Sequence, residues 1–157
     1  MKALVQRVST AGVSVAGTTV ARIGPGMLAL IGIERDDDEA SAAALLERLC
    51  VYRMFSDAAG RMNLDIGSVG GELLLVSQFT LVADTRKGRR PGFSGAATPA
   101  EAERLFDYLC ELADQRMAKP VGRGVFGADM QVSLVNDGPV TFMLEVTPSS
   151  TTTPPSH

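Results

Sequence analysis

The run from Met27 to Ile33 is almost entirely apolar and follows the strong break Gly24-Pro25-Gly26. A strand of this composition is predicted to be buried on both of its faces. Further segments rich in β-branched and apolar residues predict strands at residues 2–8, 12–16, 18–23, 72–78, 130–135 and 140–146. Strands that come in runs, with helices held apart from them, are typical of an α+β fold rather than a doubly wound parallel sheet.

Two segments have the apolar spacing of helices. In the first, Asp36 is predicted to cap the N-terminus, with Glu39 three residues later. The second opens on Thr98-Pro99-Ala100-Glu101, where a capping threonine precedes a proline at the first helical position. The apolar stripes consist of Ala42, Leu45, Leu46, Leu49 and Tyr52 in the first helix and of Ala102, Leu105, Phe106, Leu109, Leu112 and Ala113 in the second. We therefore predict a single layered α+β domain of mainly antiparallel β-sheet with two main helices packed on it.

The chain of 157 residues fits one domain, which is predicted to span residues 1–147. Residues 148–157 are rich in Ser, Thr and Pro and are predicted to form a flexible tail. No apolar run approaches the ~20 residues needed to span a bilayer. The start, Met1-Lys2-Ala3-Leu4-Val5-Gln6-Arg7, is too polar for a signal peptide. We expect a cytoplasmic protein with no membrane partner.

The formal net charge of −3 provides no global basic field that would attract nucleic acid. This charge disfavours a protein that coats RNA broadly, and we expect no DNA partner. Recognition of one RNA end by a local basic patch remains compatible with it. The one basic cluster is Arg86-Lys87-Gly88-Arg89-Arg90. Such a run is usually a solvated loop, but it follows closely on Ser77–Thr80 and is a candidate for contact with phosphate.

Several kinds of chemistry are disfavoured by what the chain lacks. The only histidine is His157, the last residue, which argues against a histidine-based triad or a multi-histidine metal site. The acidic run Asp36-Asp37-Asp38 lacks calcium-loop spacing and favours a helix N-terminus instead. Cys50 and Cys110 are too few for a disulfide framework and are predicted to pack in the core. We expect neither a metal nor a cofactor.

The segment Gly122-Arg123-Gly124-Val125-Phe126-Gly127 has the spacing G-x-G-x-x-G. A dinucleotide site requires such a loop to open a helix, whose N-terminus then meets the pyrophosphate. Here residues 128–135 continue as an alternating strand, so we reject nucleotide-cofactor binding. Phe126 is either an exposed stacking surface or part of the core.

The segment Ser77-Gln78-Phe79-Thr80-Leu81 follows the apolar run Leu73–Val76, where a strand gives way to a turn. Ser77 and Thr80 carry hydroxyls that by default bond to the backbone. As nucleophiles they would need a base, and no histidine is available to act as one. Backbone N–H groups at such a turn can form an oxyanion hole without any particular side chain. Gln78 can orient a water molecule or a substrate hydroxyl.

The segment Asn136-Asp137-Gly138-Pro139-Val140-Thr141 follows the apolar-rich run Met130–Val135. Its composition also fits a plain hairpin turn, since Asn, Asp, Gly and Pro dominate turns. Gly138–Pro139 is also one of the bonds that can be cis, as ~5–6% of X–Pro bonds are in folded proteins. Arg7 lies in an otherwise apolar first strand and is predicted to need acceptors such as backbone carbonyls.

Five segments, in this order and in a chain of this length, resemble the D-aminoacyl-tRNA deacylase family. They are Met1–Val8, Ser77–Leu81, Ala83–Gly88, Gly124–Met130 and Asn136–Thr141. The resemblance covers residues 1–147 and leaves the tail outside it. It implies a homodimeric enzyme that cleaves the ester between a D-amino acid and the terminal adenosine of tRNA. Glycine carried by a non-cognate tRNA would be accepted as well.

The resemblance also implies roles for residues. Gly138–Pro139 would be cis and reach into the pocket of the partner subunit, where its two carbonyls meet the substrate's amino group and exclude an L side chain. Arg7 would hold that motif in place, and Phe126 would pack near the adenine. Ser77–Thr80 would line the ester site, mainly with backbone groups, while a ribose hydroxyl assists the attacking water. Two alternatives stay open: a hydrolase with Thr80 as covalent nucleophile, and a non-catalytic module that binds an RNA end.

Overall fold

The computed structural model describes residues 1–148 of the chain. The predicted tail, 148–157, therefore lies outside the described residues except for Pro148. The elements in chain order are β1 (Lys2–Val15), β2 (Thr18–Ile23), β3 (Gly26–Gly32), α1 (Glu39–Val51), β4 (Phe55–Ser56), β5 (Met62–Leu64), β6 (Glu72–Ser77), a 3-10 helix (Phe79–Val82), α2 (Pro99–Arg116), β7 (Gly122–Arg123) and β8 (Met130–Glu145).

The longest pairings of the main sheet are made by β1. Along one edge it is antiparallel to β3 through Lys2–Val8 and to β2 through Ala11–Val15. Along its other edge it is antiparallel to β8 over nearly its whole length. β6 extends the sheet beyond β3 in the parallel sense, and β7 does the same beyond β6. The predicted α+β class, a mainly antiparallel sheet with two helices packed on it, is confirmed.

In two cases, two predicted strands are joined into one continuous strand. The segments predicted at 2–8 and 12–16 are both part of β1, in which Ser9 and Thr10 are exposed and interrupt the apolar pattern. The segments predicted at 130–135 and 140–146 likewise form β8, because both halves pair with β1 in the same direction. In each case a bulge breaks the alternation of side chains, but the backbone ladder resumes with the same partner.

Apolar clusters lie on both sides of the sheet. The larger cluster lies between the sheet and the helices α1 and α2, and it includes Met27 and Ile31 of β3. The smaller cluster lies on the opposite face and includes Leu28 of the same strand. β3 is therefore buried on both faces, as predicted. Cys50 and Cys110 are buried in the larger cluster, which confirms their predicted packing role.

The two helices begin with side-chain caps. α2 begins as predicted, with the Thr98 hydroxyl accepting a hydrogen bond from the first turn. α1 begins later than predicted, because Asp38 rather than Asp36 is its cap and forms a capping box with Ser41. Asp37 is instead buried, where it accepts hydrogen bonds from two main-chain nitrogens. Three consecutive aspartates are three candidate caps in the sequence. The backbone conformation determines which of them begins the helix.

Two local features shape the end of the sheet at which β3 and β6 begin. The short hairpin of β4 and β5 was not predicted, and it brings Met54 and Ser56 against β1. β3 and β6 approach each other so closely at Gly26 that an added Cβ would lie 1.9 Å from the carbonyl oxygen of Glu72. Only glycine permits that approach.

Candidate active site in two parts

The first part of the candidate site lies just beyond the carboxyl end of β6. The backbone N–H of Gln78 donates to the carbonyl of Ile31 at 2.7 Å, and the chain then turns into the 3-10 helix. The Phe79 side chain is 64% exposed, and Thr80 is exposed beside it. The side-chain amide of Gln78 donates to the Thr80 hydroxyl. The predicted residues Ser77–Thr80 thus form one short turn at the protein surface.

Two backbone N–H groups in this turn have no acceptor within residues 1–148. Among the described residues, neither Phe79 nor Thr80 uses its N–H in a hydrogen bond. The amides of Gln78 and Leu81, on either side of them, are both satisfied. Donors that face solvent at a turn can stabilise an oxyanion without a charged side chain. These two N–H groups are therefore compatible with the oxyanion hole predicted for this segment.

Aromatic rings flank the same end of β6. The chain leaves β7 beside β6, with the N–H of Gly124 donating to the carbonyl of Leu75 at 2.9 Å, and reaches Phe126 two residues later. Phe126 is half-buried and packs against Phe106, with ring centroids 6.4 Å apart, so it has features of both interpretations left open by the sequence. No helix follows this glycine-rich segment, since β8 begins at Met130.

Phe93 is a neighbour of the site that the sequence did not indicate. Its ring centroid lies 5.2 Å from that of Phe79, and the ring is 38% exposed. It belongs to the polar loop after the 3-10 helix, where an isolated phenylalanine has no periodicity that could assign it a partner. Two exposed aromatic rings side by side form a surface on which a base or an apolar side chain can stack.

The second part of the candidate site is a bulge in β8. Thr141 pairs with Gln6 and Asn136 pairs with Val8, so four residues of β8 lie opposite the single residue Arg7. These four residues, Asp137–Val140, contain the Gly138–Pro139 bond, which is cis, as the resemblance implied. The chain does not reverse here, so the interpretation of this segment as a plain hairpin turn is wrong. Gly138 has a φ of +136°, which side-chain-bearing residues rarely adopt, and both Gly138 and Pro139 are exposed.

Arg7 clamps this bulge to the body of the protein. Its Nε donates to the carbonyl of Asp137 at 3.0 Å. Its Nη1 donates to the carbonyl of Met54 at 3.1 Å and to the hydroxyl of Ser56 at 3.3 Å. The Arg7 side chain is 14% exposed, so these partners replace most of its contact with water. The prediction that backbone carbonyls would satisfy Arg7 is confirmed.

Asn136 closes the base of the bulge, a role that sequence reasoning missed. Its side-chain N–H₂ donates to the carbonyls of Arg7 at 3.1 Å and of Val140 at 3.0 Å. Its side-chain oxygen accepts from the N–H of Val140 at 3.1 Å. A single amide thus replaces the ladder bonds that the bulge interrupts. An Asn-Asp-Gly-Pro run is typical of a turn, but here it supplies a side chain that bridges two strands.

Within one chain, the two parts are level with opposite ends of β3. Ser77 is level with Ile31 of β3 and hence with Ala3 of β1, whereas the bulge is level with Arg7. Four residue steps separate these levels, which is roughly 13 Å along the strand alone. Phe126 lies beyond the same end of β6 as Ser77–Thr80, and Arg7 holds the bulge that contains Gly138–Pro139. Within one chain the two groups lie apart.

Cysteines and clusters of acidic side chains offer no nucleophile or metal site to either part of the candidate site within residues 1–148. Burial raises the pKa of the Cys110 thiol to about 12 and raises that of Cys50 as well, so neither thiol is a nucleophile at neutral pH. Within residues 1–148, no three acidic, cysteine or histidine side chains are arranged to hold a metal ion. None of the helices in that range is long and apolar enough to cross a membrane.

Comparison with known proteins gives matches along nearly the whole chain. The profile of the family described as D-Tyr-tRNA(Tyr) deacylase matches residues 4–145. The D-aminoacyl-tRNA deacylase of Thioalkalivibrio sulfidiphilus is 62% identical over 148 residues, which cover 94% of this chain and 99% of the relative. That of Vibrio parahaemolyticus is 57% identical over 146 residues, which cover 93% of this chain and 100% of the relative.

Two solved structures have the same fold. The c-Myc DNA unwinding element binding protein superposes with a TM-score of 0.90 at 35% identity, covering 94% of this chain and 100% of the other. A probable eukaryotic D-amino acid tRNA deacylase superposes with a TM-score of 0.82, covering 92% of this chain and 98% of the other. At 16% identity, the second likeness concerns the fold alone.

Proposed function

This chain belongs to the D-Tyr-tRNA(Tyr) deacylase family, and on that premise we propose that it hydrolyses the ester bond of D-aminoacyl-tRNA. The products are a free D-amino acid and tRNA. The protein is a hydrolase that acts on ester bonds, and its reaction removes the wrong enantiomer before the ribosome can use it. The observation that carries the proposal is the match over the full length of relatives that are named for this activity. Because the substrate is tRNA of the translation machinery, the reaction belongs in the cytoplasm.

The active enzyme is a homodimer in which Gly138–Pro139 of one subunit completes the Ser77–Thr80 site of the other. The separation of these groups within one chain supports this arrangement. β8 also leaves its outer edge unpaired among the described residues, and it exposes Val135 by 55% and Met143 by 46%. A two-fold axis would place each bulge at the opposite subunit's ester site, which gives two equal sites per dimer.

Selection against L-aminoacyl groups rests on the backbone of the bulge. Gly138 has no Cβ, so the substrate can approach its carbonyl oxygen closely. The carbonyls of Gly138 and Pro139 accept hydrogen bonds from the substrate's α-ammonium group. An L side chain would then point into the bulge and clash, whereas a D side chain points away from it. Glycine has no side chain to exclude, so glycyl-tRNA is accepted too.

The chemical step uses polarisation and positioning. A water molecule attacks the ester carbonyl carbon, and the N–H groups of Phe79 and Thr80 stabilise the resulting oxyanion. Gln78 orients the groups around it. The carbon–oxygen bond to the ribose then breaks, and the ribose oxygen takes a proton from the attacking water, assisted by the neighbouring ribose hydroxyl. An aminoacyl ester is already activated, so positional and electrostatic help is sufficient.

Two other candidates account for less of the geometry. With Thr80 as covalent nucleophile, its hydroxyl would need a base, yet its neighbour Gln78 donates a hydrogen bond to it and cannot remove its proton. A non-catalytic module that binds an RNA end is consistent with the exposed aromatic pair Phe79 and Phe93. It leaves the unpaired amides of the turn without a role.

One turnover assay separates these candidates. The dimer is incubated with D-aminoacyl-tRNA, with the matching L-form and with glycyl-tRNA on a non-cognate tRNA, each with and without a chelator. We expect hydrolysis of the D-form and of glycyl-tRNA, sparing of the L-form and no effect of the chelator. Binding without turnover would favour the non-catalytic module. Activity that is lost on chelation and restored by a metal would contradict the mechanism, and an active monomer in sedimentation would contradict completion in trans.

A further inference from the structure

The segment Asp84–Gly92, here called the basic loop, is closed at its base. The N–H of Asp84 donates to the carbonyl of Gly92 at 2.7 Å, and the N–H of Gly92 donates back to Asp84 at 3.0 Å. Gly88 at the tip has a φ of +73°, which allows the chain to reverse there. The loop is therefore held in place at its base, although its tip is fully at the surface.

The positive charges of the loop fall into two classes. Arg86 lies against its own loop, because its Nε and Nη2 each donate to a carboxylate oxygen of Asp84 at 2.9 Å. This pair lowers the pKa of Asp84 to about 2. Lys87, Arg89 and Arg90 are exposed and form no ion pair with any residue from 1 to 148. Three uncompensated cations thus stand close together on a chain whose net charge is −3.

The loop is anchored beside the ester site. Phe93 follows it directly and packs against Phe79, with ring centroids 5.2 Å apart. Beyond Phe93, the N–H of Arg35 donates to the carbonyl of Gly95 at 2.9 Å, which fixes the returning chain to the end of β3. The cations are therefore connected to the catalytic turn by a short and packed route rather than by a free linker.

We propose that Lys87, Arg89 and Arg90 bind the phosphate backbone of the substrate RNA next to its esterified nucleotide. The inference rests on the proposed function, since it assumes that an RNA end enters the Ser77–Thr80 site. An acidic protein repels a polyphosphate at long range, and salt screens this field beyond about 8–10 Å. A local cluster at the mouth of the site counters that repulsion where the strand must lie. Contacts with phosphate position the strand and carry no base specificity.

The test compares two triple variants with the same change in charge. The loop variant is Lys87→Gln, Arg89→Gln and Arg90→Gln. The control is Arg22→Gln, Arg61→Gln and Arg116→Gln, which removes three exposed arginines from β2, the β4–β5 hairpin and the end of α2. Each is assayed on D-aminoacyl-tRNA and on D-aminoacyl-adenosine, which has the ester but no phosphate. The loop variant is expected to lose at least about tenfold in kcat/KM on tRNA, mainly through KM, and less than about threefold on the adenosine ester.

Salt provides a second measurement. Three lost phosphate contacts should reduce the slope of log kcat/KM against log salt by about 2 for the loop variant, and the control should keep the wild-type slope. Equal losses in the two triple variants would mean that overall charge matters and the loop does not. Equal losses on the two substrates would mean that the loop shapes the ester site. Either result, or no loss on tRNA, overturns the proposal.

Binding of uncharged tRNA keeps the test independent of turnover. If the wild-type protein binds tRNA but hydrolyses no ester, the proposed function fails, yet the loop variant should still bind at least about tenfold more weakly than the control. If binding is the same in both variants, the phosphate site is wrong whatever the activity. Thermal melting checks the fold, and Arg89→Gln alone, with an expected loss of about threefold, replaces the triple variant if that variant does not fold.

Discussion

The two parts of the candidate site are built in different ways. Gly138–Pro139 is held by two side chains, Arg7 and Asn136, which together make six hydrogen bonds around the bulge. Within residues 1–148, the turn Ser77–Thr80 has one side-chain hydrogen bond and two unpaired N–H groups, and the ring of Phe79 is exposed. One part is fixed before substrate arrives, while the other presents open groups.

This difference fits the separate tasks that we propose for the two parts. A part that rejects one enantiomer by a steric clash must be rigid, because a flexible backbone would move aside and accommodate the L side chain. A part that stabilises an oxyanion needs donors that no protein group already occupies. Three variants test this division, and a titration then tests the base of the basic loop. They follow from the largest expected effect to the smallest.

Replacement of Gly138 by alanine should have the largest effect. The new Cβ would lie 2.7 Å from Cγ2 of Val140 and 3.2 Å from Nη2 of Arg7, at a φ of +136° that alanine rarely adopts. The bulge must shift, and a misplacement of about 1 Å costs about 100-fold in kcat/KM. Single-turnover hydrolysis of D-aminoacyl-tRNA measures the loss. Circular dichroism and sedimentation must show a folded dimer, and full activity in such a dimer would remove the bulge from the mechanism.

Replacement of Arg7 by alanine should have the next largest effect, and it should act on stability and selectivity together. It removes the clamp to Asp137, Met54 and Ser56 and is expected to cost about 3 kcal/mol in unfolding free energy. Once the bulge can move, the ratio of the rate of D-form hydrolysis to that of L-form hydrolysis should fall by about tenfold. Arg7→Lys is the matched control, since a lysine keeps the charge but cannot reach three partners with a planar fork. An unchanged D/L ratio in Arg7→Ala would show that the bulge needs no clamp.

Replacement of Thr80 by alanine should have a smaller effect on activity. If backbone N–H groups carry the oxyanion, loss of the hydroxyl should reduce kcat by less than about tenfold. A covalent nucleophile would instead show nearly complete loss and a trapped acyl-enzyme in the wild-type protein. Rapid-quench kinetics distinguishes the two cases. Thr80→Ser, which retains the hydroxyl, is the control.

Titration of Asp84 should have the smallest effect and concerns the base of the basic loop. Hydrogen bonds from Arg86 lower the Asp84 pKa from the ordinary value of 3.8 to about 2. The ion pair therefore contributes stability above the unfolded pKa, and this contribution is lost as the pH falls through about 2. The carboxyl carbon of Asp84, followed by NMR, should titrate near that value and move back toward 3.8 in Arg86→Gln. A wild-type midpoint near 3.8 would mean that the pair does not form in solution.

Much of the candidate site could be predicted from the sequence. The residues that the sequence did not indicate have a feature in common. Ser77–Thr80 and Gly138–Pro139 are contiguous short motifs, so the resemblance to a known family could point to them as candidates. Asn136 and Phe93 act through partners that are distant in the chain: Asn136 bonds to Arg7, 129 residues away, and Phe93 packs on Phe79. Neither carries a periodicity or a motif that names its partner. The cap of α1 was misplaced by two residues, because three adjacent aspartates are locally equivalent.

The sequence by itself determined the α+β class, the two helices and their buried stripes, and the absence of any histidine that could serve a triad. These follow from composition and from side-chain periods of 2 and 3.6 residues, which are local properties. Only the tertiary structure decided that Asp137–Val140 is a bulge in a continuous β8, and that it is level with the opposite end of β3 from Ser77. The reason is that strand pairing joins segments that are distant in the chain, more than a hundred residues apart in the case of β1 and β8. A period of two residues orients each side chain, but it does not say which strand lies next to which.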